Sequence, residues 1–316
     1  MVSNLTPQSN LFLANLNRIE QQLTEANIQM SSGKKLNVAS DAPGDVEQLL
    51  QLRTDQAKNQ QIESNLTLAQ TDASAADSAL AGAATLIDTA VQLATQGANA
   101  TQTADTRQSI AQQVEGILNQ MVAYSQTQVQ GRYIFSGDQD QSPTYQVDLS
   151  AANGIPDQNG AANGVDQLSD AAATQQIEDP SGGSFAASET AQQIFDDTNS
   201  DGSPAADNVF AALNGLLTSL QNNDQTGISN ALSNLQQASE HINNAEAFYG
   251  TVENRIQDAS NFASNYDTQL STEIGDKQDA DVAAAAMELS QASTQMQASM
   301  QMQGQMPKST LFDYLG

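Results

Sequence analysis

Between Leu5 and Met30 the apolar positions are Leu5, Phe12, Leu16, Ile19, Leu23, Ala26 and Met30, with Ser9 in the one gap. The steps alternate four and three, a 3.5-residue period. That period predicts a helix that lays one narrow seam against another helix. The remaining faces carry Asn, Gln, Thr and Glu, so the seam is the only adhesive surface of the segment. A helix of this length cannot bury its seam against itself, and the rest of the chain must supply the partner.

The same spacing recurs downstream. Ile62, Leu66, Ala69, Ala73, Ala76, Leu80, Ala83, Ile87, Ala90 and Ala94 predict a long helix from about Gly44 to Gly97. Ile110, Val114, Ile117, Met121 and Tyr124 predict a third helix. Helix is expected again from Pro204, through Val209, Phe210, Leu213, Leu216, Leu217 and Leu220. A long helix is expected from Gly227 to about Gly275, through Ile242, Tyr249, Val252, Ile256, Ala263 and Leu270. Val282, Ala286, Leu289, Ser293, Met296 and Met300 carry the spacing to the end. Between these halves, Gly131 to Gly137 is a short β-prone run, and residues 138–204 are rich in Asn, Gly, Asp and Ser.

The pattern is nested. The expected fold is mainly α: a long antiparallel helical bundle with paired N- and C-terminal heptad helices and a small inserted β-rich domain. Residues 1–40 with 277–316 form the terminal coiled-coil domain, and 41–137 with 205–276 the bundle. Residues 138–204 form the inserted, turn-rich domain. Nesting brings the two ends together, so the N-terminal seam is expected to pair with Val282 to Met300. Many seam positions are Ala, Ser or Met, which bury little area each, whereas every ordered residue costs backbone entropy. Both ends are therefore expected to stay loose in the single chain and to order when copies pack together.

Charge narrows the possible partners. The formal net charge is −27, and no Lys or Arg lies between Arg132 and Arg255. A phosphate backbone requires clustered cations, so nucleic acid is excluded and anionic membrane surfaces are disfavoured. Cysteine is absent, which removes disulfides and thiolate metal sites. No apolar stretch reaches transmembrane length, and no basic region precedes an apolar run at the start, so a cleaved secretory signal is not expected.

Few residues suggest chemistry. His241 is the only histidine, and no nucleophile is marked beside it, so neither catalysis nor a cofactor is expected. Asp197-Thr198-Asn199-Ser200-Asp201-Gly202 matches the first half of a calcium loop, with Asp197, Asn199 and Asp201 as candidate ligands. The acid required at the twelfth position is replaced by Asn208, and the competing reading is an acidic turn that starts a helix. Met287, Met296, Met300, Met302 and Met306 crowd the C-terminal segment, where Met serves as seam filler or as a repackable contact.

Four groups of residues together resemble the bacterial flagellin superfamily. They are the opening helix, the connector Ser31-Ser32-Gly33-Lys34-Lys35-Leu36-Asn37 with Ser40-Asp41-Ala42-Pro43, the run Gly250-Thr251-Val252-Glu253-Asn254-Arg255-Ile256, and the C-terminal seam with Leu311-Phe312-Asp313-Tyr314-Leu315. Pro43 after Asp41-Ala42, the run Gly131 to Gly137 and the ending at Leu311, Phe312 and Leu315 are most similar to the hook-associated branch at the hook–filament junction. The resemblance implies a structural, non-enzymatic adaptor in the extracellular flagellum, secreted by the type III export apparatus with an export chaperone. Its implied neighbours are further copies of itself, a hook-side hook-associated protein and flagellin. It also implies that Gly33, Asp41, Pro43, Asn254 and Arg255 make bundle or subunit contacts. Lys34 and Lys35 would meet acidic neighbours or face solvent. Two other readings stay open: a flagellin filament subunit, and a secreted coiled-coil adhesin or effector with a calcium-binding insertion.

Overall fold

The structure, a computed structural model, describes residues 7–38, 42–149 and 163–305. Its residues fall into two units, one of residues 1–59 and 265–316, the other of residues 60–264. Two long helices, α2 (Pro43–Ala98) and α6 (Gln225–Gln278), contribute residues to both.

In the first unit α1 (Pro7–Ser32) packs along α7 (Val282–Gln305). This is the terminal pairing that the heptad spacing predicts. Gly33 ends α1: its φ of 67° is the left-handed conformation that a Cβ disfavours, and its N–H donates to the Gln29 carbonyl at 2.9 Å. The chain then lies antiparallel to the stretch before α7. Lys35 N–H donates to the Gln278 carbonyl at 2.7 Å, and Ala280 N–H donates to the Gly33 carbonyl at 3.0 Å. Asp281 caps α7, its Oδ1 accepting from the N–H groups of Ala283 and Ala284 at 3.0 Å. The first turns of α2 lie against the last turns of α6. Arg53 Nη2 donates to Gln278 Oε1 at 2.7 Å, and Gln56 Nε2 donates to Ser271 Oγ at 2.9 Å.

The second unit is a helical bundle of α2, α3 (Ala104–Ser125), α5 (Val209–Gln221) and α6. Its α2 stripe is largely alanine, with Ala73, Ala76, Ala83, Ala90 and Ala94 fully buried between Leu66, Leu80 and Ile87. Small side chains let neighbouring backbones approach, and the larger residues of α3 and α5 fill the space. Arg107 closes one end. This buried arginine donates to the carbonyls of Gly97 and Asn99 and to Asn223 Oδ1, joining the α2–α3 turn to the α5–α6 turn. Helix carbonyl ends, which carry partial negative charge, surround its guanidinium in place of a carboxylate.

Among the described residues, the chain between α3 and α5 forms three separate antiparallel strand pairs and one short helix. They are β1 (Gln128–Val129) with β2 (Arg132–Tyr133), β3 (Tyr145–Val147) with β4 (Val165–Gln167), and β5 (Gln176–Glu178) with β6 (Ser184–Ala186). The short helix α4 (Ala191–Phe195) follows, held by a Thr190–Gln193 capping box. Tyr145 and Phe195 pack with Phe135, Phe210 and Tyr249, so insertion and bundle share one hydrophobic core. Helix resumes at Val209 rather than Pro204. Pro204 instead bridges to Thr198, and Asn208 caps α5 by accepting from Ala211 N–H. The long helix α6 also begins two residues before Gly227 and runs three past Gly275.

Gly137 is a tight point of the insertion. Its φ is 53°, and a Cβ there would fall 2.4 Å from the Ala173 carbonyl oxygen. Gly137→Ala combines left-handed strain with a backbone clash and is expected to cost at least about 2 kcal/mol of second-unit stability. The denaturant midpoint measures this.

Candidate functional site

The feature that stands out is the α1–α7 seam and the apolar side chains around it. On α1, Ile19 and Ala26 are buried and Phe12, Leu16 and Leu23 half-buried, as a 3.5-residue seam requires. On α7 the buried positions are Ala285 and Ala292, each 2% exposed, with Ala286, Leu289, Ser293 and Met296 half-buried. Val282 and Met300, which the spacing places in the seam, are 49% and 52% exposed, and Met30 on α1 is 39% exposed. In the single chain these three keep a third to a half of their surface in solvent. The most buried positions of α7 are alanines, one position before Ala286 and Ser293. Ala285 and Ala292 were legible only as small residues seven apart. Leu5, Asp41, Met306, Leu311, Phe312 and Leu315 lie outside the described residues.

The first unit therefore keeps apolar side chains at its surface. Leu11, Leu13 and Ile28 on α1, Val38 in the connector, Leu50 on α2, and Met287 and Met302 on α7 are exposed beside the three just named. Among the described residues of the second unit the exposed large apolar residues are Leu68, Leu168 and Phe262. Exposed apolar side chains concentrated this way mark a surface that meets other molecules.

The remaining candidates are placed as follows. Gly33 ends α1 and Pro43 begins α2, where a missing N–H costs nothing. Asn254 is exposed and donates to the Gly250 carbonyl on its own helix. Arg255 lies over the Phe185 ring at 4.5 Å, a cation–π contact that fastens the β5–β6 hairpin to α6. In the calcium-like loop the polar groups serve the loop itself. Asn199 Nδ2 donates to Ser203 Oγ and to the Pro204 carbonyl, and Asp197 Oδ1 accepts from Thr198 N–H. Hydrogen bonds from Ser203 hold the Asp201 carboxyl below its ordinary range. Among the described residues no group of three or more His, Cys, Asp or Glu is placed to hold a metal ion. No described helix is long and apolar enough to cross a membrane.

His241 sits on α6 with Nε2 at 2.8 Å from the Gln193 carbonyl and Nδ1 at 3.3 Å from Asp207 Oδ2. It thus bridges α6, α4 and the turn before α5. Nearby, Glu189 N–H donates to the Tyr249 hydroxyl at 3.1 Å. Desolvation pushes the Glu189 carboxyl above its ordinary value, and the charge of His241 opposes that only in part. An acid with a raised folded-state pKa favours the native state while protonated. Its contribution is complete below the unfolded pKa and is lost as pH rises through the folded one. Glu189→Gln is accordingly expected to raise second-unit stability at neutral pH and to leave it nearly unchanged at pH 4, as paired denaturant titrations would measure.

Comparison with known proteins places this architecture. The family model described as the bacterial flagellin N-terminal helical region matches residues 2–140, and that of the C-terminal helical region matches residues 232–315. Flagellar hook-associated protein 3 of Salmonella typhimurium is 30% identical over 200 residues, covering 61% of this chain. The protein of the same name in Escherichia coli is 28% identical over 200 residues. The match spans 58% of the length of either relative. Among solved structures, hook-associated protein-3 of Legionella pneumophila is similar with a TM-score of 0.59 at 13% identity, over 73% of this chain and 98% of that one. FlgL of Bacillus cereus gives 0.52 at 19% identity, over 72% and 100%. At such identities these two structures speak to the fold alone.

Proposed function

The chain belongs to the bacterial flagellin family, and from that premise we propose that it is a structural adaptor that joins hook to filament in the extracellular flagellum. The observation that carries this reading is the α1–α7 pair, formed largely on alanines and surrounded by exposed apolar side chains. Such a pair is completed by neighbours. The match to hook-associated protein 3 in two bacteria favours the junction role over that of a filament subunit. Its neighbours are further copies of itself in a short layer, a hook-associated protein on the hook side and flagellin on the other. It reaches them through the type III export apparatus, escorted by an export chaperone. Residues 1–40 with 277–316 act as the assembly domain, 41–137 with 205–276 as the shaft, and 138–204 as its outward-facing part. The role asks for no catalytic group and no cofactor.

Deletion of the gene tests the proposal. Non-motile cells that shed unpolymerised flagellin into the medium support it, and normal motility defeats it. The terminal pair should order on assembly. Weak amide protection over residues 10–30 in the free subunit, rising in isolated flagella, is the expected exchange pattern, and strong protection in the free subunit contradicts it.

A further inference from the structure

The second unit holds a small cavity at the base of the β5–β6 hairpin. Its lining includes Asp72 on α2, Tyr249 on α6, Ile134 just after β2, Gln175 just before β5 and Ser188 just after β6. It gives the centre of a water-sized molecule about 10 Å³ in which to sit. That is the lower limit for holding one water, and such a water also needs polar partners.

Two groups in the lining have bonding capacity left over. Asp72 Oδ2 accepts from Arg132 Nη2 at 2.9 Å, but Oδ1 is covered from solvent and accepts from no group among the described residues. Tyr249 is fully buried. Its hydroxyl accepts from Glu189 N–H at 3.1 Å, and no acceptor among the described residues takes its own O–H. The phenol keeps that proton. Burial above all raises its pKa, the Glu189 N–H opposes the rise, and the charges of Glu189 and Asp72 add to it. The field of the Asp72 carboxylate thus reaches the phenol, yet the two are not hydrogen-bonded to each other. A buried donor and a buried acceptor left unmatched each lose their hydration without return. One molecule that accepts from the first and donates to the second restores both.

We propose that this cavity is the binding site of one water molecule, which accepts from the Tyr249 hydroxyl and donates to Asp72 Oδ1. Ser188, whose Oγ accepts from Gln175 N–H at 3.1 Å, offers a third polar partner through its own O–H. The chemistry selects the ligand. A metal ion accepts no hydrogen bond from the phenol and would stand beside the Arg132 guanidinium, and the cavity has no room for a molecule larger than water. A bridging water holds two groups nearly as well as a direct hydrogen bond. It joins α6 to α2, and Arg132 on the other carboxylate oxygen carries the link to β2. Asp72 therefore fastens the base of the inserted strands to both long helices. The site is internal to the second unit and does not depend on the junction role.

Crystals of the full chain that diffract well enough to show ordered water test the site. The expected density is a single water within hydrogen-bond distance of both Tyr249 Oη and Asp72 Oδ1. No density there, or a direct bond between hydroxyl and carboxylate, overturns the proposal. Oxygen-17 magnetic relaxation dispersion, which counts long-lived buried waters in solution, supplies the second measurement. Tyr249→Phe deletes the donor and keeps the ring, and it is expected to lower the count by one water relative to the unsubstituted chain. An unchanged count contradicts the bridge.

Discussion

Ala26→Glu is expected to abolish filament attachment and leave the unfolding of the second unit unchanged. Ala26 is 1% exposed on the α1 seam, where the seam facing it is itself built on Ala285 and Ala292. Glutamate there adds volume to a close helix contact and places a carboxylate where no cation waits. Overpacking alone costs about 1–3 kcal/mol, and an unpaired buried charge several more. A thinly packed pair cannot absorb that, so α1 and α7 separate. The residue belongs to the first unit, so the thermal transition of residues 60–264 should not move. The measurement is the ratio of shed to attached flagellin in cells that export the variant at wild-type level. Ala26→Ser, which fits the space, should retain most attachment.

Phe210→Ala should instead cripple the second unit. Phe210 is fully buried, edge-on to Tyr145 at 5.1 Å and stacked with Phe195 at 5.9 Å. It therefore ties α5 to a strand and a helix of the insertion. Removing a buried phenylalanine typically costs about 3–5 kcal/mol. For a unit of this size the midpoint temperature should fall on the order of 10 °C. Amide exchange should accelerate in both β3 and α4, because the two halves share this core. Loosening confined to α5 would mean that the insertion packs independently of the bundle.

The helical body was readable because its apolar residues repeat at three and four over long stretches, and the paired ends followed from their nesting. The seam's detail was less readable. The three-four spacing selects Val282, Ala286, Leu289, Ser293, Met296 and Met300, whereas the positions buried on α7 are Ala285 and Ala292, which carry almost no hydropathy signal. Strands of two or three residues have no room for an alternating pattern, so only β2 showed, inside the β-prone run Gly131 to Gly137, and the β3–β4 and β5–β6 pairs lay in a region readable only as turn-rich. Tyr145 and Phe195 carry no periodic signal in that region. Their burial depends on Phe135, Phe210 and Tyr249, and only the folded chain brings these together. Asn208 occupies the twelfth position of the calcium-like loop and proves to be the cap of α5, the role that its short polar side chain suits.

The site was legible as a class of surface and not as a set of contacts. Heptad spacing marks a helix that needs a partner, α7 supplies one, and Leu11, Leu13 and Ile28 off the seam of α1 stay exposed.

The most direct measurement is the position of the protein in an intact flagellum. Gold-labelled antibody against the chain, viewed by electron microscopy, should mark a single short band between hook and filament. Label distributed along the whole filament, or absent from the flagellum, would contradict the account.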